Sequence, residues 1–295
     1  FNEMKGVYSS SEQQLYRIIE KSLLPHTAYG FESGGDPEAI PNLTQEDFIA
    51  FHKRYYHPSN SYIYLYGDMD IEEKLAYLDE EYLSKFDRIP VPSHIDRQPA
   101  FSKLVRQSEF YPVSADDEIV EKTFLSLNWV VGESLNSKDM MGLEILEHAL
   151  LRTAAAPLRK VLIDARLGKD VDSNFEDDIL QPYFSIMINN AEADRAERFY
   201  TLVMDTLRKL ADEGLDRTLM EASINLLEFR LREADFGSAP KGLIYGLRIM
   251  KTWLYDAEPE TYLGYETDLK EIKAGLDNGY FEDLIRRLLL NNKHQ

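Results

Sequence analysis

Residues 122–131 read Lys122-Thr123-Phe124-Leu125-Ser126-Leu127-Asn128-Trp129-Val130-Val131, and the chain runs on into Lys138-Asp139-Met140-Met141-Gly142-Leu143-Glu144-Ile145-Leu146-Glu147-His148-Ala149-Leu150-Leu151. The first stretch has the make-up of a strand and the second the spacing of a helix. Leu143, Leu146 and Leu150 stand at i, i+3 and i+7, so they share a stripe expected to pack on a sheet. Two more strands are expected at 170–175 and 182–189. Helices are expected at about 193–212, 217–234, 240–254, 259–274 and 280–291, with another opened by Pro157 in its first turn. Strands followed by a run of helices predict an α+β fold, mostly antiparallel in its sheets, with helices packed on one face.

Upstream, residues 1–24 read as helical. The stretch Ser10-Ser11-Glu12-Gln13 is placed to cap a helix that continues through the stripe Leu15, Ile18, Ile19 and Leu23, and Pro25 ends it. A glycine-bearing loop follows at Tyr29-Gly30-Phe31-Glu32-Ser33-Gly34-Gly35-Asp36-Pro37. It is no phosphate cradle, because no Gly-Lys-Ser/Thr follows. Thr44, with Asp47 three residues on, caps a helix that stops before Pro58. Residues 61–66 alternate and read as a strand, and 71–85 read as a helix. Pro90, Pro92 and Pro99 mark 87–100 as a linker between 1–86 and 101–295. Beyond it, 103–113 reads as a further strand.

The chain has 295 residues, 33 of them Lys or Arg and 52 Asp or Glu, for a formal charge of −19. The excess is spread along the chain, −8 in residues 1–100 and −11 in the rest. Such a surface repels phosphate backbones and anionic membranes, so neither is expected as a partner. Basic peptides would be tolerated, although a solvated acidic face explains the charge without them. Cysteine is absent, which excludes disulfides, thiolate metal sites and thiol catalysis. No apolar run of about 18 residues is present to span a membrane. The chain opens at Phe1, within helix-compatible sequence, and is expected to be a fragment of something longer.

None of the six histidines forms a His-x3-His or His-x-x-Glu-His pair, and no Gly-x-Ser-x-Gly elbow is present. His52 and His57 do not share a helical face, and His57 is expected to cap a helix end beside Pro58. One pattern stands out. Glu144, Glu147 and His148 lie at i, i+3 and i+4, hence on one helical face. Taken alone, that is a solvated face.

Specificity begins at the first residues. Phe1-Asn2-Glu3-Met4-Lys5-Gly6-Val7-Tyr8-Ser9-Ser10 resembles the segment carrying the third zinc ligand in the insulinase/pitrilysin superfamily of inverted-motif zinc metallopeptidases, and in particular its presequence protease and falcilysin branch. The likeness continues through Tyr29-Gly30, Ser33-Gly34-Gly35-Asp36-Pro37, Pro41-Asn42-Leu43-Thr44, Phe51-His52-Lys53-Arg54-Tyr55-Tyr56-His57-Pro58-Ser59-Asn60 and Tyr66-Gly67-Asp68. Residues 101–295 resemble the second domain of that family more loosely.

The resemblance implies a parent zinc endopeptidase that degrades unfolded peptides inside a closed chamber. It places residues 1–86 at the end of a first, zinc-binding domain, 87–100 as a linker and 101–295 as a second, non-catalytic domain. It assigns Glu3 as the third zinc ligand, with the His-x-x-Glu-His helix upstream of Phe1. It makes Glu144, Glu147 and His148 a degenerate copy of the metal helix. This chain alone is then expected to be inactive, to carry no catalytic residue and to hold no zinc. The alternative is a non-catalytic structural or partner subunit of the same superfamily. Expected partners are unfolded peptides, the missing parts of the parent chain and a possible second copy. The expected location is the bacterial cytoplasm, or alternatively the mitochondrial matrix.

Overall fold

A computed structural model describes residues 1–234 and 236–295. Along the chain run the helices α1 (Asn2–Val7), α2 (Ser11–Leu23), α3 (Gln45–Tyr55), α4 (Ile71–Glu81), α5 (Ser137–Glu147), α6 (Pro157–Asp164), α7 (Ala196–Glu213), α8 (Arg217–Glu233), α9 (Lys241–Trp253), α10 (Glu266–Gly275) and α11 (Tyr280–Ile285). Three strands, β1 (Thr123–Val130), β2 (Asp170–Glu176) and β3 (Tyr183–Ala191), pair antiparallel in the order β1-β3-β2. The α+β reading therefore holds.

The central strand is buried on both faces, and its alternation divides two cores. Phe184, Ile186 and Ile188 face the larger one, opposite Trp129, Leu127 and Leu125 of β1. There they meet α5, α7, α8, α10 and α11, all of which contribute to this core. The stripe of Leu143, Leu146 and Leu150 is buried in it as expected. Met140, Gly142, Ile145 and Glu147 are buried too, so α5 is enclosed nearly all round rather than one-sided. Tyr183 and Met187 point to the other face, where Ile19 and Leu23 of α2 cover them, with Leu24 just beyond its end. The apolar face of α2 is thus closed by the sheet of the downstream segment.

Local signals were obeyed. The Ser10 hydroxyl accepts from Gln13 N at 3.3 Å, and Thr44 with Asp47 forms a reciprocal capping box. Four expectations need correction. The 1–24 helix is broken into α1 and α2 around Tyr8–Ser10. The 259–274 helix starts only at Glu266. Residues 61–66 are extended but pair with no strand among the described residues. Their alternate side chains lie on α9 instead: Tyr62 meets Trp253 with ring centroids 4.7 Å apart, Tyr66 meets Tyr245 at 5.9 Å, and Tyr64 lies over Gly246. The period of two is present, but a helix surface takes the place of a ladder. Residues 103–113 are no strand either. The outer edge of β1 is met by the C-terminal segment, with Val130 N donating to His294 O at 3.0 Å and Asn292 Nδ2 to Val130 O at 2.7 Å.

One close approach fixes how β2 enters the sheet. A Cβ on Gly168 would stand 2.4 Å from the Asn189 carbonyl oxygen and 2.5 Å from Ile188 Cγ2. Backbone cannot yield as a flexible side chain can. Gly168→Ala is therefore expected to destabilise the chain by about 1–3 kcal/mol. Urea denaturation would show this as a lower midpoint, and an unchanged midpoint would mean that the β2–β3 join relaxes freely.

Candidate functional site

Glu3 sits in the first turn of α1 with its side chain exposed. The next residue, Met4, anchors α1: it is 9% exposed, and its Sδ occupies the place where a Gly34 Cβ would stand, at 2.4 Å. The glycine of the Ser33-Gly34-Gly35 run thus makes room for the helix that presents Glu3. Among the described residues no three His, Asp or Glu side chains gather as a metal site. Zinc takes four ligands, of which a catalytic site draws three from protein. The residues present do not fit a complete zinc centre.

The Glu144, Glu147 and His148 face is not solvated, and its three side chains diverge. Glu147 is buried, accepting from Ser173 Oγ at 2.8 Å and from Arg152 at 2.7 and 3.1 Å. Arg152 lies five positions on, which in an α-helix is about 140° around the axis. The turn His148–Arg152 has the wider π-helical spacing, and that brings residues five apart onto one side. Arg152 also donates to Ser173 O at 2.8 Å. His148 Nδ1 lies 2.8 Å from Ser223 Oγ, whose own proton goes to Leu219 O at 2.9 Å. The imidazole is the donor in that pair. Burial holds its pKa below the ordinary value, with the Arg230 charge acting the same way.

Glu144 points elsewhere, into a cavity of about 350 Å³ that no local pattern announces. Its walls come from α5, the end of β2, α8, α9 and the segment leading into α10. One side is apolar, with Met140, Met141, Phe175, Leu227 and Leu231. Most of the polar groups are already committed. Lys251 pairs with Asp177 at 2.6 Å and Asp178 at 3.1 Å, and Tyr262 donates to Ser134 O at 2.6 Å. Burial works against the Lys251 charge, but the two aspartates outweigh it and raise its pKa. For Glu144, burial pushes the pKa above its ordinary 4.5 and Asp177 adds to the push, while Lys251, Arg230 and Arg248 oppose it.

That shift has a measurable sign. A carboxyl with a raised folded pKa binds more protons folded than unfolded, so stability falls as pH rises from about 4.5 through the folded value. Glu144→Gln removes the charge and keeps the shape. It is expected to be more stable than the parent sequence at pH 7, with the gain vanishing by about pH 4.5. Urea midpoints for both proteins across this range check it, and a difference independent of pH would contradict the burial of a charged Glu144.

Comparison with known proteins bears on this geometry. Residues 42–227 match the family described as the peptidase M16 inactive domain. The chain is 46% identical over 294 residues to Protein HypA of Clostridium perfringens, covering all of this chain and 30% of that protein. It is 43% identical over 303 residues to Presequence protease 1, chloroplastic/mitochondrial, of Arabidopsis thaliana, covering all of this chain and 28% of that protein. The chain thus spans less than a third of the curated relatives it matches. Among solved structures, the peptidase M16 inactive domain from Pseudomonas fluorescens superposes with a TM-score of 0.64 at 16% identity, over 99% of this chain and 66% of that one.

Proposed function

This chain belongs to the M16 peptidase family, homologous to presequence proteases and to the family's inactive domains, and from that premise we propose that it is one part of a zinc endopeptidase acting on unfolded peptides held in a closed chamber. The observation that carries the reading is 43% identity, along the whole chain, to a protein named as a presequence protease. In this reading residues 1–86 end the zinc-binding domain, 87–100 link, and 101–295 form the second, non-catalytic domain. Glu3 supplies one carboxylate to a zinc ion whose other ligands lie outside this chain. The bare apolar side chains of α3 and α4 support the division. Phe48 is 69% exposed, Phe51 59%, Ile71 47% and Leu75 55%, and such surfaces are ordinarily covered. Further parts of the parent would cover them.

The bacterial cytoplasm is the proposed location and the mitochondrial matrix the alternative, in keeping with a bacterial relative and an organellar one. No described helix is long and apolar enough to cross a membrane. Unfolded peptides, the rest of the parent chain and a possible second copy are the proposed partners.

The test compares the 295-residue chain with its full-length parent in peptide cleavage and zinc content. The chain is expected to cleave nothing and to hold far less than one zinc, because one exposed carboxylate binds the ion weakly. The parent is expected to cleave unfolded peptides and to stop when a chelator is added. A zinc-free, inactive parent would favour a structural subunit instead. Cleavage by the chain alone, stopped by a chelator, would mean that the site lies elsewhere.

A further inference from the structure

We propose that the cavity above α5 is a binding site for a short zwitterion, a free amino acid or dipeptide with an apolar side chain, held by Glu144 at its ammonium and by Arg248 at its carboxylate. Four observations lead there. The cavity, about 350 Å³, lies in the size range of small-molecule sites. One wall is formed by methionine, leucine and phenylalanine side chains, which suits an apolar group. Its other charged groups already have partners within the protein: Lys251 pairs with Asp177 and Asp178, and Glu147 with Arg152. Asp268 accepts from Ser137 Oγ.

Two groups of opposite sign remain without a hydrogen-bond or ion-pair partner among the described residues. The Glu144 carboxylate is largely withdrawn from solvent, yet it makes no hydrogen bond or ion pair with any described residue, and its oxygens are not sealed in the protein. The Arg248 guanidinium lies over the Phe236 ring at 5.1 Å and has no carboxylate partner among the described residues. A buried charge without a partner is costly, and the cost is relieved by a ligand that brings the opposite charge. The aromatic ring holds Arg248 in place without using its N–H donors, which stay free for a bidentate carboxylate. An anion alone would leave Glu144 unmatched, and a cation alone would leave Arg248 unmatched. A zwitterion matches both and adds no net charge to an acidic protein. Such molecules are what peptide breakdown releases, so the site would sense or retain end-products. That last role rests on the peptidase reading, whereas binding itself does not.

The experiment is calorimetric titration of the 295-residue chain with L-phenylalanine and with alanyl-phenylalanine. Each is compared with its N-acetylated form and its C-terminal amide. The expected result is binding of at least one zwitterion, weakened about tenfold or more by blocking either end. Glu144→Gln should weaken the zwitterion similarly but leave the N-acetylated form unchanged, and Arg248→Gln should do the same for the amide. Whichever of the two zwitterions binds more tightly tells amino acid from peptide. No binding by either zwitterion, or equal binding of its N-acetylated and amide forms, overturns the proposal. The ligand comparisons need no variant, so a misfolded substitution does not blunt the test. A catalytically inactive parent would refute the peptidase reading and leave this binding result standing.

Discussion

On the proposed zinc-peptidase reading, Glu3→Gln in the full-length parent is expected to lower peptide cleavage by about 100-fold or more and to leave the purified protein short of zinc. The substitution keeps the side chain's size and removes its charge, and a neutral amide oxygen is a poorer ligand for the ion than a carboxylate. The structure supplies the control. Glu3 is exposed, and its side chain makes no hydrogen bond or ion pair with any described residue. In the 295-residue chain the same change should therefore move stability by no more than about 0.5 kcal/mol. A large loss of activity in the parent beside an unchanged urea midpoint in the chain separates a ligand from a structural residue. A parent variant with full zinc and full rate would remove Glu3 from the metal site.

Trp129→Ala is expected to cost about 3–5 kcal/mol, the largest stability effect of any change considered. Trp129 is 0% exposed, sits opposite Phe184 in the β1–β3 register, and lies with its ring centroid 6.3 Å from that of Phe184. Its removal opens a cavity at the point where the sheet meets the helices of the larger core. Trp129→Phe isolates the cause. The indole Nε1 is buried without a hydrogen-bond partner, so phenylalanine discards an unsatisfied donor while keeping most of the apolar volume. That variant should lose less than about 1.5 kcal/mol. Equal losses for alanine and phenylalanine would show that the indole edge, not the buried volume, matters at this position.

The candidate site divides the same way between legible and illegible. Glu3 was singled out by its neighbours in the chain, and the structure explains one of those neighbours: Gly34 admits Met4 and so seats α1. The Glu144, Glu147 and His148 spacing was visible, but a common face does not imply a common target. Glu147 turns to Arg152 and Ser173, His148 to Ser223, and Glu144 to the cavity. The Glu147–Arg152 pair could not be found by counting in helical steps. Five residues coincide only in a π-turn, and nothing local announces that the turn will widen there. The cavity was equally hidden, because its lining is drawn from segments between Ser137 and Asp268 that only folding brings together.

What the sequence determined by itself was set by short-range physics. Capping at Ser10 and Thr44 acts within three residues, and strand or helix periodicity acts within a few more, so β1, β2, β3 and most helices were found where expected. Family membership, too, is carried by motifs that need no partner to be read. Tertiary structure alone decided what each element packs on. Residues 61–66 have the alternation of a strand, yet a ladder needs a second backbone beside it, and here α9 takes that place. The stripe of α2 declares an apolar face without naming its cover, which proves to be Tyr183 and Met187 on the far side of the sheet. Burial removes water from any apolar surface with little regard to direction, so the hydrophobic pattern fixes that a face is covered, and only the assembled chain fixes by what.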